Sequence, residues 1–239
     1  MTSNLIQTEY LELWKEYGIE EIPFAAPVRA KTILPTPPEM PLEKTEGPVS
    51  INSLSLESIQ ASIGNCKRCG LCRERTTIVF GAGNAKAKLM FIGEGPGEEE
   101  DRQGLPFVGP AGQLLTKIIE AMGLKRDDVY IANIVKCRPP QNRNPFPNEI
   151  ENCTPFLKAQ IDFVKPKLIV ALGLTAAKFL TTKDTTMSNL RGKMQTLAWD
   201  SNIALLPTYH PSYLLRNPSA KKIVWEDMKI AKSKLTQLS

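Results

Sequence analysis

The sequence predicts an α/β fold: three α/β/α layers around a central four-stranded parallel sheet, preceded by an N-terminal helix and a Pro-rich linker. Two observations carry this expectation. Apolar runs at residues 89–92, 129–134, 168–172 and 203–206 have the length of strands buried on both faces. Helical patterns lie between them, and strands that alternate with helices form parallel sheets covered on both sides. The 239 residues, 42% of them hydrophobic, suffice for one sizeable domain and an appendage.

The elements follow in chain order. Leu5, Ile6, Tyr10, Leu13, Trp14 and Tyr17 share one face at helical spacing, so residues 2–17 are expected to be a helix. Seven prolines from Pro23 to Pro48 then deny both helix and central strand, which makes the stretch an extended linker. This arm, residues 1–50, either lies on the body or tethers a helix that docks a protein partner. Residues 51–239 form the domain. Leu114, Leu115, Ile118, Ile119 and Met122 recur at helical spacing after Pro110, which suits a helix start. Further helices are expected over 148–164, from Thr175 onward and over 219–236. No internal repeat is visible.

Charge is unevenly spread. Residues 1–50 hold four Lys/Arg against eight Glu, and the remainder holds 26 against 17. The body is therefore basic, which permits phosphate contacts but equally describes an ordinary soluble surface. No apolar run approaches the roughly 18 residues of a membrane span. The first residues include Glu9, Glu12 and Glu16 and lack the pattern of a signal peptide, so a cytoplasmic monomer is the expectation.

In open parallel sheets, ligands bind beyond the carboxyl ends of the strands. The distinctive residues fall there: Gly93-Glu94-Gly95-Pro96-Gly97 after the first strand, Asn133 near the end of the second, Gly173 after the third, and His210-Pro211-Ser212 after the fourth. The glycine turn is spaced GxGxG, and the acidic run Glu98–Asp101 follows it. A dinucleotide loop needs GxGxxG and a helix N-terminus open to phosphate, so that reading is weak. His210 is the only histidine. Tyr213, Leu214 and Leu215 form an apolar tip beside it, followed by Arg216. Such a tip suits a wedge pushed between stacked bases, or else a loop folded onto the core.

The five cysteines are an odd number in a chain that reads as intracellular, so disulfides are not expected. Cys66 and Cys69 are spaced CxxC, as are Cys69 and Cys72. Cys137 and Cys153 stand far off with 15 residues between them. A zinc ribbon would offer two CxxC pairs, whereas four thiolates can hold a [4Fe–4S] cluster. Spacing alone leaves open which cysteines of the first group take part. Closed by two ligands, the loop between Cys137 and Cys153 would present Arg138 and Arg143 to phosphates.

Together these segments resemble the family 4 uracil-DNA glycosylases, the iron–sulfur branch of the uracil-DNA glycosylase superfamily. The segments are NCKRC (65–69), GEGPGEEED (93–101), GLPFVGPAGQLL (104–115), YIANIVKCRPPQNR (130–143), IVALG (169–173), RGK (191–193) and HPSYLLRNPS (210–219). The resemblance runs from Leu56 to the C-terminus and leaves out the first 50 residues. It implies a [4Fe–4S] cluster on Cys66, Cys69, Cys137 and Cys153, with Cys72 not a ligand. It implies that Gly93, Glu94 and Gly95 line a uracil pocket, that Phe107 stacks on the base, that Asn133 reads its edge and that His210 approaches it. The implied substrate is uracil in single- or double-stranded DNA, and the implied reaction is hydrolysis of its N-glycosidic bond in base excision repair.

Physical chemistry suits each role. A stacked base must be flipped out before attack, at a cost of about a few kcal/mol, and Leu214 or its neighbours would fill the gap. Phe107 would recover on the order of 1–3 kcal/mol by stacking. An asparagine amide offers a donor and an acceptor, which match uracil and mismatch cytosine. His210 would stabilise negative charge developing on uracil O2. For orienting the water, Glu94 is the first candidate and Glu100 the second; Glu100 equally suits a part in shaping the pocket. A non-catalytic iron–sulfur or zinc protein that binds nucleic acid would keep the cysteines and the basic loop without needing Phe107, Asn133 and His210. A related branch that traps uracil-DNA covalently carries an additional histidine, which this chain lacks.

Overall fold

The computed structural model describes residues 55–238. The helix and linker expected over residues 1–50 lie outside the described residues. The described chain runs α1 (Leu56–Ile63), β1 (Ala82–Gly83), β2 (Leu89–Gly93), α2 (Glu98–Gln103), α3 (Pro110–Ala121), β3 (Tyr130–Asn133) and α4 (Pro147–Val164). It continues through β4 (Leu168–Leu172), α5 (Leu174–Thr181), α6 (Met187–Leu190), β5 (Gln195–Leu197), β6 (Asp200–Thr208), α7 (Pro211–Arg216) and α8 (Ala220–Gln237).

The sheet has the order β1-β3-β2-β4-β6-β5. Its inner four strands are parallel and are the four read from the sequence. The strand count differs from that reading, because an antiparallel strand is added at each edge: β1 on β3 and β5 on β6. Neither edge strand has an apolar run. β1 is two residues long, and the three of β5 run from half-buried Gln195 to buried Leu197. Edge strands pair on one side only and need little apolar character to form.

Strand alternation builds the three layers. Met90, Ile92, Ile169 and Ala171 face Leu157 and Ile161 of α4 and Ala177 and Leu180 of α5. Leu89, Phe91, Leu168 and Val170 face Leu115 and Ile119 of α3, and Val224 and Met228 of α8. Each inner strand is thus buried on both faces, which is why it reads as a continuous apolar run. α1 docks outside α4 through Ile59, Ile63 and Phe156. Helix starts follow local chemistry. Pro110 and Pro147 occupy first-turn positions, where a missing N–H costs nothing. Ser55 Oγ accepts the Ser58 N–H at 3.2 Å.

One buried ion pair fastens the end of β6. Asp227 of α8 has no exposed surface and receives the guanidinium of Arg191 and, at 2.7 Å, the hydroxyl of Thr208. This absorbs the RGK segment into the scaffold and places His210 two residues beyond an anchored strand end. Replacing Asp227 by Ala strands a half-buried arginine and is expected to cost about 3–5 kcal/mol in urea unfolding. A loss of about 1 kcal/mol, the scale of an exposed pair, would contradict this role.

Candidate active site

The parallel register sets Gly93 opposite Asn133 at the carboxyl ends of β2 and β3. A cleft of about 500 Å³ opens above this rim. β2 contributes Glu94–Gly97, β3 contributes Asn133, β4 leads into residues 172–175, and β6 leads into His210 and Ser212. β2 connects onward to β3 on one side while β4 connects to β6 on the other, so the cleft lies at the switch point of the sheet.

Phe107 forms a wall of this cleft and is held in a strained backbone conformation, with φ of 52°. A non-glycine residue there costs on the order of 1–3 kcal/mol and persists only when its surroundings fix it. The fixing groups are plain. One oxygen of Glu100 accepts the N–H groups of Val108 and Gly109, both at 2.8 Å, and the other accepts that of Gly97 at 3.1 Å. Arg126 donates to the Pro106 carbonyl at 2.6 Å and to the Thr116 hydroxyl at 3.0 Å. A Cβ at Gly112 would stand 2.0 Å from the carbonyl of Phe107, so α3 must be bare at that point. A Cβ at Gly93 would strike both the Phe107 ring and Asn133 Oδ1. The ring therefore lies against naked strand.

Asn133 is 2% exposed, and among the described residues its Oδ1 has no hydrogen-bond partner. Leaving a buried acceptor unpaired costs about 1–3 kcal/mol, which marks a place for a donor from outside the chain. His210 lies 5.6 Å from Phe107, ring centre to ring centre. Its Nδ1 accepts the Ser212 N–H at 3.1 Å and sits 2.8 Å from the Ser212 hydroxyl. A backbone N–H can only donate, so Nδ1 carries a lone pair and the neutral ring holds its proton on Nε2. Burial pushes the His210 pKa from 6.5 down to about 4; Glu100 opposes this shift and Arg216 adds to it. The imidazole is therefore a neutral donor at physiological pH.

Cys66, Cys69, Cys137 and Cys153 line one cavity with Ile63, Ile78 and Phe156, and Cys72 does not line it. Among the described residues, no group of three or more His, Cys, Asp or Glu side chains is placed to hold a single metal ion. Four cysteines on one cavity lining are a donor set of the kind a [4Fe–4S] cluster takes. Two of the sulfurs already accept hydrogen bonds: Cys137 from Arg75 at 3.4 Å and Cys153 from the Lys136 N–H at 3.3 Å. Burial raises the Cys69 thiol to about 11 and the Cys137 thiol to about 12. Both thiols stay protonated until a metal displaces the proton.

The remaining sequence-derived residues divide. Glu94 lines the cleft, and among the described residues its carboxylate is unbonded. Glu100 also lines the cleft, and its carboxylate accepts three backbone N–H groups and braces the Phe107 loop. Arg143 reaches the cleft but is held by Glu149 in a two-bond pair at 2.8 and 2.7 Å, so it braces its loop before it meets any phosphate. Arg138 bonds Asn142 and Glu98 at the surface. The expected apolar tip is the short helix α7, and only part of it is presented. Leu214 is 1% exposed and packs in the core, which overturns its reading as a wedge, whereas Tyr213 and Leu215 are 37% and 46% exposed. Arg216 stands exposed at the cleft.

Arg126 and Gly112 were given no role from the sequence, and Ser212 was read only as part of the His210-Pro211-Ser212 turn. Gly112 alone carried a signal, as a glycine inside a well-patterned helix is costly unless something passes close.

The model of the "Uracil DNA glycosylase superfamily" matches residues 80–229, which include the sheet and the cleft. The chain is 47% identical over 181 residues to a type-4 uracil-DNA glycosylase of Thermotoga maritima, covering 74% of this chain and 93% of that one. It is 47% identical to that of Sulfurisphaera tokodaii, over 73% of this chain and 82% of the relative. The corresponding protein of Archaeoglobus fulgidus is 41% identical, over 73% and 90%. The chain therefore belongs to the type-4 branch of the uracil DNA glycosylase superfamily.

The lowered pKa of His210 makes a stability prediction. As pH falls below 6.5, the unfolded chain takes up a proton that folded His210 refuses until about 4, so stability drops across that window. Melting temperatures from pH 7.5 to 4.5 should fall less steeply in His210→Asn than in the parent. Parallel curves would contradict the buried neutral imidazole.

Proposed function

We propose that this chain excises uracil from DNA, hydrolysing the N-glycosidic bond and leaving an abasic site for base excision repair. The observation that carries the proposal is the unpaired Asn133 Oδ1 beside the Phe107 ring, in a cleft also lined by a neutral histidine that donates through Nε2.

The nucleotide flips into the cleft. Leu215 and Tyr213, the exposed large hydrophobic residues of α7, take the space left in the stack, while Arg216, Arg138 and Arg143 lie along the phosphates. Phe107 stacks on the base, and Gly93 and Gly95 let the backbone come close to it. Asn133 Oδ1 accepts uracil N3–H, and its amide nitrogen donates to O4. Cytosine presents a bare N3 and a donor at C4, so both groups would stay unpaired, and sites of this kind discriminate strongly. As the bond to the sugar lengthens, negative charge gathers on uracil O2 and the His210 Nε2–H donates to it. Because the ring is neutral at the start, this donor needs no proton uptake from solvent. Glu94 orients the water that attacks the sugar.

A [4Fe–4S] cluster on Cys66, Cys69, Cys137 and Cys153 suits the cysteine cavity. When bound, it would clamp the segment that follows α1, residues 66–69, to the 138–152 loop; hydrolysis itself transfers no electron. Residues 51–239 make up the glycosylase domain, with residues 1–50 as an arm open to a protein partner. Among the described residues no helix is long and apolar enough to cross a membrane, and a cytoplasmic monomer acting at DNA is the proposed setting.

Oligonucleotides carrying one uracil, single- and double-stranded, should become alkali-labile at that position and not at thymine or cytosine. His210→Ala should lower kcat by about 10²–10³, the scale of one lost oxyanion donor. Asn133→Ala should lose discrimination as well as rate. Tight binding without base release would instead favour a non-catalytic nucleic-acid-binding protein.

A further inference from the structure

Lys136 follows the base-reading strand and has no place in the reaction described above. It is 1% exposed, among the most enclosed large side chains in the molecule. Its Nζ donates to the main-chain carbonyl of Asn133 at 2.8 Å and to Gln160 Oε1 at 2.6 Å. Both partners are neutral. Gln160 is itself fully buried and passes the network on to the Phe80 carbonyl at 2.9 Å and the Tyr130 hydroxyl at 3.1 Å.

A lysine is almost never fully buried without an anion to answer it. Among the described residues no carboxylate is paired with Lys136. Glu149, the carboxylate that shares its cavity, is taken by Arg143 and by the Phe146 N–H. What Lys136 does border is the cysteine-lined space: it lines that cavity, and its own N–H is bonded to Cys153 Sγ. Arg75 stands on the same lining and bonds both Cys137 Sγ and the Cys66 carbonyl. Four thiolates around a cluster carry net negative charge, and charge near a cluster sets its potential. The anion that Lys136 lacks is therefore supplied by whatever fills the cavity.

We propose that Lys136 is the built-in counter-charge of the cluster cavity and a positioning residue that ties it to the end of the base-reading strand. The inference rests on the cluster reading of the four cysteines. One ammonium then serves two sites: it answers the thiolates on one side and holds the Asn133 carbonyl on the other. Outer partners of metal ligands act on this scale elsewhere, changing metal affinity about 10–100-fold.

The test compares the purified full chain with Lys136→Gln and Lys136→Arg. Glutamine keeps a hydrogen-bond donor and drops the charge, while arginine keeps the charge. Three quantities are read: iron per chain, the rate of iron loss to a chelator, and the reduction potential. Lys136→Gln should release iron about ten-fold faster and shift the potential to more negative values, and Lys136→Arg should return both toward the parent. An insoluble Lys136→Gln beside a soluble, iron-loaded Lys136→Arg also speaks for the charge. Parental iron retention and potential in Lys136→Gln would overturn the proposal, as would an arginine variant as defective as the glutamine one. A parent chain without iron would instead sink the cluster reading itself.

Discussion

Residue 93 has no room for a side chain. The pairing of β2 with β3 sets it opposite Asn133, and a Cβ there would lie 2.5 Å from Asn133 Oδ1 and 2.6 Å from the Phe107 ring. Three elements thus meet over one bare stretch of backbone at the carboxyl rim of the sheet. The rest of the site is arranged to hold them. Glu100 gathers three N–H groups, Arg126 holds the Pro106 carbonyl, and Gly112 lets α3 pass beneath Phe107. A left-handed Phe107 and an unpaired Asn133 acceptor are each unfavourable by about 1–3 kcal/mol. Both persist because the inner strands are buried on both faces and cannot relax toward them.

A second constraint works from below. The loop after β3 runs between Cys137 and Cys153, which line one cavity; it is braced by the Arg143–Glu149 pair and joined to the end of β3 through Lys136. The cysteine cavity and the base-reading cleft therefore share one short piece of chain. The Asp227 anchor does the same service for His210 at the far side of the cleft. The site is built from strand ends that are each fixed independently, which suits a reaction whose catalytic demand is a donor already in place and already neutral.

How much of this was legible in the sequence depends on what each residue must satisfy. The four inner strands could be read because burial on both faces leaves an unbroken apolar run. β1 and β5 could not, since an edge strand asks for hydrogen bonds on one side and little else. Asn133 and His210 were visible because polar residues at the ends of apolar strands have few structural excuses. Leu214 and Leu215 are adjacent and chemically alike, and only the helical turn of α7 decides that one packs inward and the other faces out. Glu100 stood out as a candidate at the pocket, but its bonds to the Phe107 loop depend on contacts eight and nine residues ahead, which no local pattern reports. Lys136 was hidden for a similar reason, as it lies in the loop after β3 and its partner Gln160 on α4.

The central claim is that the cleft is shaped for uracil by Asn133, Phe107 and a neutral His210. A crystal structure of the chain soaked with free uracil tests it most directly. The account predicts uracil stacked on Phe107, with N3 within hydrogen-bond distance of Asn133 Oδ1 and O2 facing His210 Nε2. Uracil bound away from this cleft, or cytosine occupying it equally well in the same orientation, would contradict the account.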